Sequence, residues 1–101
     1  MNTRTVTFFK FQELRVYQKS LDFLNWVVLK TDSLPQGNAC RLGEMLCSHA
    51  ADIPLILAEG SPMPKAEFVV QLRHAKASVR KTMVLCEVLC KLGLWNEREY
   101  N

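Results

Sequence analysis

Four cysteines are the side chains in this chain that are best suited to bind a metal ion or to carry out redox chemistry. Cys40 and Cys47 lie seven residues apart and Cys86 and Cys90 lie four apart, so each pair falls on one face of a helix. Tight zinc sites usually contain a Cys-x-x-Cys pair, and the sequence has none. We therefore expect buried, reduced cysteines that act as small hydrophobic residues, with metal binding or redox chemistry as the alternative.

Residues that could perform catalysis are sparse. His49 follows Ser48 and precedes Asp52 by three residues, but close neighbours on one helix do not form a catalytic triad. The sequence has no phosphate-binding glycine loop, no Gly-x-Ser-x-Gly nucleophile turn and no Glu-x-x-His spacing for a di-iron site. It therefore predicts a protein that is not an enzyme and that uses no cofactor, metal or small-molecule substrate.

Basic residues offer a different chemistry, the binding of anions. Residues 65–91 contain six Lys or Arg and two Glu, a net charge of +4, whereas residues 33–64 carry −2. At about 100° per residue, five of the six fall within roughly 80° of one another on a helix. Such a stripe favours contact with the phosphates of RNA or DNA or with an acidic protein, and the alternative is a solvated helix face. The candidate nucleic-acid-binding residues are Lys65, Arg73, Lys76, Arg80, Lys81, Lys91 and Arg41.

Apolar residues repeat at spacings of three and four along three segments, which predicts helices at about 12–32, 39–59 and 65–92. In the first helix the stripe expected to face the core is Leu14, Tyr17, Leu21, Leu24 and Val28. Strand candidates are few, so we expect an all-α fold, an up-down bundle of three long helices whose fourth helix is truncated or absent. Residues 1–11 are expected to form an N-terminal arm, and 12–101 the bundle domain.

Two residues of the second helix are expected to determine its shape. Pro54 lies in the middle of the helix, where it removes the hydrogen bond to the carbonyl of Ala50 and should kink the helix. Gly60 is expected to end the helix as a cap in the left-handed conformation, which glycine adopts without a steric penalty.

The apolar content is high for one domain, since 49% of the 101 residues are hydrophobic. Past Lys81 the third helix becomes apolar on several sides, which favours burial against another copy. The predicted homo-oligomer interface consists of Met83, Val84, Leu85, Val88, Leu92 and Trp95. No apolar run reaches the roughly 20 residues of a membrane span, and residues 1–12 lack a secretory signal pattern. We therefore expect a cytoplasmic protein that does not bind membranes.

The segment Phe11–Leu21 resembles the opening helix of the four-helix-bundle family of 23S rRNA intervening-sequence proteins. His49–Pro54 and Ala58–Gly60 resemble the central motif of that family, in which an Ile-Pro pair precedes Asn-Ile-Ala-Glu-Gly. The superfamily includes the accessory variability proteins of diversity-generating retroelements, which are basic, form barrel-like pentamers, bind nucleic acid and associate with a reverse transcriptase. The resemblance covers residues 11–100 and implies a non-enzymatic, pentameric accessory protein that binds RNA or DNA and a reverse transcriptase.

The chain departs from the family at three places. Ile56 stands where the family has Asn, and Ala77–Lys81 replaces a Gly-Ser-x-x-Glu pattern, with a base in place of the acid. The sequence also ends where a fourth helix would begin. We expect the groove that this leaves to be filled by an arm containing Phe8, Phe9 and Phe11, by a neighbouring subunit or by a partner. The alternative function is a small oligomeric scaffold, or an orphan intervening-sequence-type bundle, that binds only protein partners.

Overall fold

The computed structural model describes residues 10–96, and every regular element in that range is helical. A short 3₁₀ helix, Lys10–Glu13, precedes α1 (Arg15–Thr31), α2 (Asn38–Gly60) and α3 (Lys65–Lys91). The all-α prediction is thereby confirmed at the level of three long helices without a strand in the described range. None of the helices within it has both the length and the apolar character that crossing a membrane requires.

Where the predicted arm meets the first helix, the chain forms the 3₁₀ turn. Phe11 packs edge-on against Tyr17, with ring centroids 5.2 Å apart. The side-chain amide of Gln18 donates a hydrogen bond to the carbonyl of Gln12 at 2.6 Å. These contacts hold the turn against α1, so the α-helix begins at Arg15 rather than at Gln12 as predicted. Residues 1–9, with the rest of the predicted arm, and residues 97–101 lie outside the described part of the chain.

The face that α1 turns to the core matches only part of the one that its spacing predicts. Its buried residues are Ser20 and Val27, while three of the five residues of the predicted stripe are half-buried and Val28 is half exposed. The buried face therefore overlaps the predicted stripe and is centred to one side of it. The reason lies outside α1, because Trp26 packs edge-on against Trp95 beyond the end of α3, with ring centroids 5.4 Å apart.

α2 is the central helix and packs against both of the others. Within residues 10–96, no Cα atom of α1 comes within 8 Å of a Cα atom of α3. Pro54 is buried inside α2, and the helix continues past it to Gly60. The backbones of α1 and α3 are therefore farther from each other than from α2, and the two helices meet through side chains such as Val27 and Leu89 in a shared buried cluster.

The prediction that Gly60 caps α2 in the left-handed conformation is wrong. Gly60 is the last residue of the helix, and the described glycines with positive φ are Gly37 and Gly93. A Cβ atom added at Gly60 would lie 2.9 Å from the Cβ atom of Gln71, closer than real Cβ atoms approach. Glycine is therefore required at this position because α2 and α3 come together there, not because the backbone reverses.

The chain folds back on itself directly after α3. Gly93 has φ 78°, a left-handed conformation that favours glycine. The backbone N–H groups of Leu94 and Trp95 then donate to the carbonyl of Leu89 at 3.1 and 3.4 Å. This hydrogen-bonded reversal places the Trp95 indole against the end of the helix that precedes it.

The core consists of two clusters of buried residues. We call the larger one the Trp95 cluster; it comprises Val27, Leu46, Ala50, Leu85, Cys86, Leu89 and Trp95. The smaller one, the Ile53 cluster, comprises Ile53, Leu57 and Ala75. Phe23 packs against both clusters and therefore lies where they meet.

Candidate nucleic-acid interface

Six of the seven candidate basic residues lie on α3, and all six are exposed. Lys65, Arg73, Lys76, Arg80 and Lys91 occupy one side of the helix, within roughly 80° of one another. We call these five residues the basic face. The opposite side of α3 carries its buried residues, which are Ala75, Ser78, Thr82, Leu85, Cys86 and Leu89. Since that side is packed against the rest of the molecule, the basic face points into solvent.

One acid shares the side of α3 that carries the basic face. Glu87 projects from the same side as the five cations, four residues before Lys91, whereas Glu67 lies on another side, and both are exposed. Within residues 10–96, however, no residue of the basic face forms an ion pair at the 4.0 Å limit; the pair found in that range joins His49 to Asp52. Five unpaired cations along about 40 Å of helix give an extended positive potential that can act on a phosphate backbone.

Lys81 and Arg41 lie apart from the basic face. Lys81 projects roughly 80° or more from every member of it, because it follows Arg80 directly on the helix. Arg41 belongs to α2, where its guanidinium donates a hydrogen bond to the side-chain oxygen of Asn38 at 3.3 Å. Its neighbours on the exposed side of α2 include Glu44, so the local charge there is mixed. The structure therefore does not bring these two cations together with the other five.

The predicted oligomer interface divides into two groups. Met83, Val84 and Leu92 are 48%, 59% and 57% exposed, and Val88 is half-buried. By contrast, Leu85 and Trp95 are 8% and 6% exposed and belong to the core of the single chain. Only the first group offers surface to another copy, because the side chains of the second group already pack inside this one.

Two features of this surface went unnoticed in the sequence. Val69, Val70 and Val79 are exposed apolar residues interspersed among the cations of α3. These valines could have been found from their spacing, because each lies directly beside a residue of the basic face in the sequence or one helical turn from it. The second feature is Lys19 of α1. It lines a groove that α1 and α3 form together, and no pattern within α1 predicts this position.

We call this feature the α1–α3 groove; its volume is about 400 Å³. Its lining is mainly apolar and includes Val16, Phe23, Ile53, Val79 and Met83 together with Lys19. Ile53 of α2 lies between the residues of α1 and α3 that line it, because α2 packs against both of the other helices.

The cysteines show no sign of reactivity. Cys86 is buried, and burial, with a smaller contribution from Cys90, raises the pKa of its thiol to about 11. The Cys47 sulfur lies 3.2 Å from the hydroxyl of Thr31, within hydrogen-bond distance. All four cysteines are free thiols, and residues 10–96 contain no group of three or more side chains arranged to hold a metal ion. A thiol whose pKa is raised is protonated at neutral pH and is a poor nucleophile.

His49 lacks the partners that a catalytic base needs. Its Nδ1 atom is buried without a hydrogen-bond partner and lies 3.8 Å from a carboxylate oxygen of Asp52, too far for a hydrogen bond. Ser48 is exposed on the next position of the same helix. The three side chains therefore form no relay from nucleophile to base to orienting acid.

No family model, curated protein or solved structure matches the chain. The resemblance to intervening-sequence proteins consequently stays a prediction from the motifs quoted above.

Proposed function

We propose that the chain is a non-enzymatic, oligomeric accessory protein that binds the backbone of RNA or DNA through the basic face of α3. The observation that supports this proposal is that five exposed cations share one side of a helix without an ion pair among the described residues. Phosphate contacts of this kind fix position on a nucleic acid and do not read its sequence. The proposed ligand is therefore a structured nucleic acid recognised by its charge and shape.

One basic face is a weak binding site by itself, so the proposal includes assembly of several copies. The exposed side chains of Val84 and Leu92 supply apolar surface for contact between copies, next to the cations, whereas Met83 projects to a different side of α3 from these two residues and lines the α1–α3 groove. The resemblance favours a pentamer built from up-down helical bundles and a reverse transcriptase as the protein partner, as in a diversity-generating retroelement. Assembly would align several basic faces and multiply the number of phosphates contacted.

The first test is the salt dependence of nucleic-acid binding. Five phosphate contacts predict that log K falls against log salt concentration with a slope of about −4 to −5 for duplex DNA. Fluorescence anisotropy with a labelled DNA duplex and a labelled RNA hairpin, at several salt concentrations, measures this slope. Binding that is unchanged between low and high salt contradicts the proposal.

A matched pair of double variants locates the contact. Arg73→Gln/Lys91→Gln removes two members of the basic face, and we expect the slope to become shallower by about 2. Arg41→Gln/Lys81→Gln removes the same charge from outside the basic face, so its slope should change by less than about 1. Equal losses in the two double variants would mean that net charge, and not the basic face, controls binding.

Sedimentation equilibrium with and without the RNA hairpin tests assembly and ligand together. We expect a mass of several copies and a further increase with RNA. A strict monomer that ignores nucleic acid contradicts the main proposal. An oligomer that ignores nucleic acid but binds a protein partner supports the second candidate, a scaffold that acts through the exposed apolar residues of α3.

A further inference from the structure

The α1–α3 groove has a shape and an apolar lining that one more helix would fit. The backbones of α1 and α3 stay more than 8 Å apart at their Cα atoms, while both helices pack on α2. The lining runs from Val16 to Phe23 on α1, about 10 Å or two helical turns, and from Val79 to Cys86 on α3. An apolar furrow that separates two helices and lies over a third accommodates the apolar stripe of a fourth, as in four-helix packing.

The charge around the groove changes along its length. Asp22 and Glu87 stand beside the half that contains Phe23 and Cys86, and the other half is positive. Lys19 lines the positive half, and Arg15 lies one turn before Lys19 on α1. Lys76 and Arg80 stand three residues before Val79 and Met83, on the adjoining side of α3. None of these four cations forms an ion pair within residues 10–96. At physiological salt such a cluster attracts carboxylates within about 8 Å.

We propose that the α1–α3 groove binds an amphipathic α-helix of another protein, whose apolar stripe is flanked by Glu or Asp. The stripe covers Val16, Phe23, Val79 and Met83, and the flanking carboxylates pair with Lys19 and its neighbouring cations. Arg15 and Lys19 of α1 are outside the basic face, whereas Lys76 and Arg80 belong to it, so the helix and a nucleic acid would share these two cations.

Charge and spacing disfavour occupants from this chain itself. Residues 1–11 contain Arg4 and Lys10 but no acid, so they would bring positive charge to a positive rim. The exposed side of α2 in a second copy is acidic, but its exposed large apolar residues are Met45 and Leu55, ten positions apart. Two such distant residues make no continuous stripe.

The test uses a labelled synthetic helix of about 20 residues, long enough to be partly helical by itself. One peptide has Leu at every third and fourth position, flanking Glu, and Ala elsewhere; the control peptide has Lys in place of Glu. Fluorescence anisotropy with the full chain measures both affinities. We expect the Glu peptide to bind at least tenfold more tightly, and Lys19→Glu to reduce that preference at least fivefold.

Apolar contact is tested separately with neutral substitutions. Val16→Gln and Met83→Gln alter exposed lining residues, so folding should be retained, and circular dichroism verifies it. Each is expected to weaken the Glu peptide about tenfold, which corresponds to 1.4 kcal/mol. Leu29→Gln, an equally apolar change on an exposed position that does not line the groove, should leave the affinity unchanged within about twofold.

Four outcomes overturn the inference. The first is equal binding of the Glu and Lys peptides, and the second is an equal loss of affinity in Leu29→Gln and Met83→Gln. A dimer that Met83→Gln dissociates, in sedimentation without peptide, would assign the groove to a second copy. A tenfold gain of peptide affinity in Phe8→Ser/Phe9→Ser would assign it to the N-terminal residues. Loss of nucleic-acid binding in Arg73→Gln/Lys91→Gln with peptide binding intact separates the two proposals.

Discussion

The Trp95 cluster and the Ile53 cluster differ in which elements of the chain surround them. In the first, Trp95 reaches back from beyond α3 and contacts Trp26 of α1, so one indole adds to a cluster that α1 and α3 share. In the second, the buried residues come from α2 and α3, and the α1–α3 groove remains beside Ile53. The residues of both clusters are buried, so the difference lies in the groove on the surface beside Ile53 and not in the burial of the core.

At the Trp95 cluster, a residue from beyond α3 adds to the cover that the three helices provide. Gly93 supplies the reversal that places this side chain there. A buried tryptophan brings roughly 150–250 Å² of surface to a core. Beside Ile53 no residue of the described chain fills the groove, and the proposed occupant is an acidic amphipathic helix of another protein.

The largest expected effect comes from removing the Trp95 indole. Trp95→Ala should lower the free energy of unfolding by about 3–5 kcal/mol, because it leaves a cavity against Leu89 and Trp26. Urea denaturation followed by circular dichroism measures it. Leu94→Ala changes the preceding, more exposed residue and should cost less than about 1 kcal/mol. Similar losses in both variants would mean that Trp95 does not complete the core.

An intermediate effect concerns Cys86, which belongs to the Trp95 cluster and also lines the α1–α3 groove. Burial raises the pKa of its thiol from 9.0 to about 11 in the folded chain. The folded state thus binds more protons than the unfolded state between these values, so stability is intact below pH 9 and falls as pH rises toward 11. We expect a loss of about 2–3 kcal/mol over that interval.

The measurement for Cys86 is a difference between two proteins. Urea denaturation of the wild-type chain and of Cys86→Ala is compared at pH 8 and at pH 10.5. The wild-type chain should lose more stability than the variant over this step, since the variant has no thiol at that site to titrate. Parallel pH profiles would show that the Cys86 thiol is exposed to water through the α1–α3 groove that it lines.

The smallest expected effect separates two glycines. Gly60→Ala places a Cβ atom 2.9 Å from the Cβ atom of Gln71, which is fixed to the backbone of α3. It should cost about 1–2 kcal/mol despite the better helix propensity of alanine. In Gly43→Ala the nearest atom is the terminal Cδ1 of Leu34, at 2.7 Å, and that methyl group can rotate away.

The Gly43 variant should therefore lose at least about 0.5 kcal/mol less than the Gly60 variant. Thermal melting followed by circular dichroism compares them. A larger loss in Gly43→Ala would show that α1 and α2 are packed more rigidly than α2 and α3.

Helix positions were largely predictable from the sequence, because apolar spacing and breakers act within a few residues of one another. The ends of α3 agree with the prediction within one residue, and Gly93 lies at the predicted stop. The grouping of the five cations on one side of α3 was predictable from their spacing. The buried residues of α3 then showed that this side faces solvent. The inner face of α1 was predictable only in part, since its direction depends on Trp95, nearly 70 residues farther along the chain.

The groove and the role of Gly60 were not predictable in detail for the same reason. A glycine at a helix end looks like a cap, and only the distance to Gln71 on α3 shows that close packing demands it. Lys19 looks like an ordinary surface lysine on α1, and only the separation of α1 from α3 places it at a groove.

The sequence by itself determined that the chain forms three helices, that one of them carries a basic stripe, and that no catalytic motif accompanies it. These are properties of neighbours along the chain, set by helical geometry and side-chain type. Tertiary structure decided which face of α1 is buried, that Leu85 and Trp95 belong to the core, and that a groove lies open beside Ile53. Those properties depend on contacts between residues far apart in the chain, which local patterns do not encode.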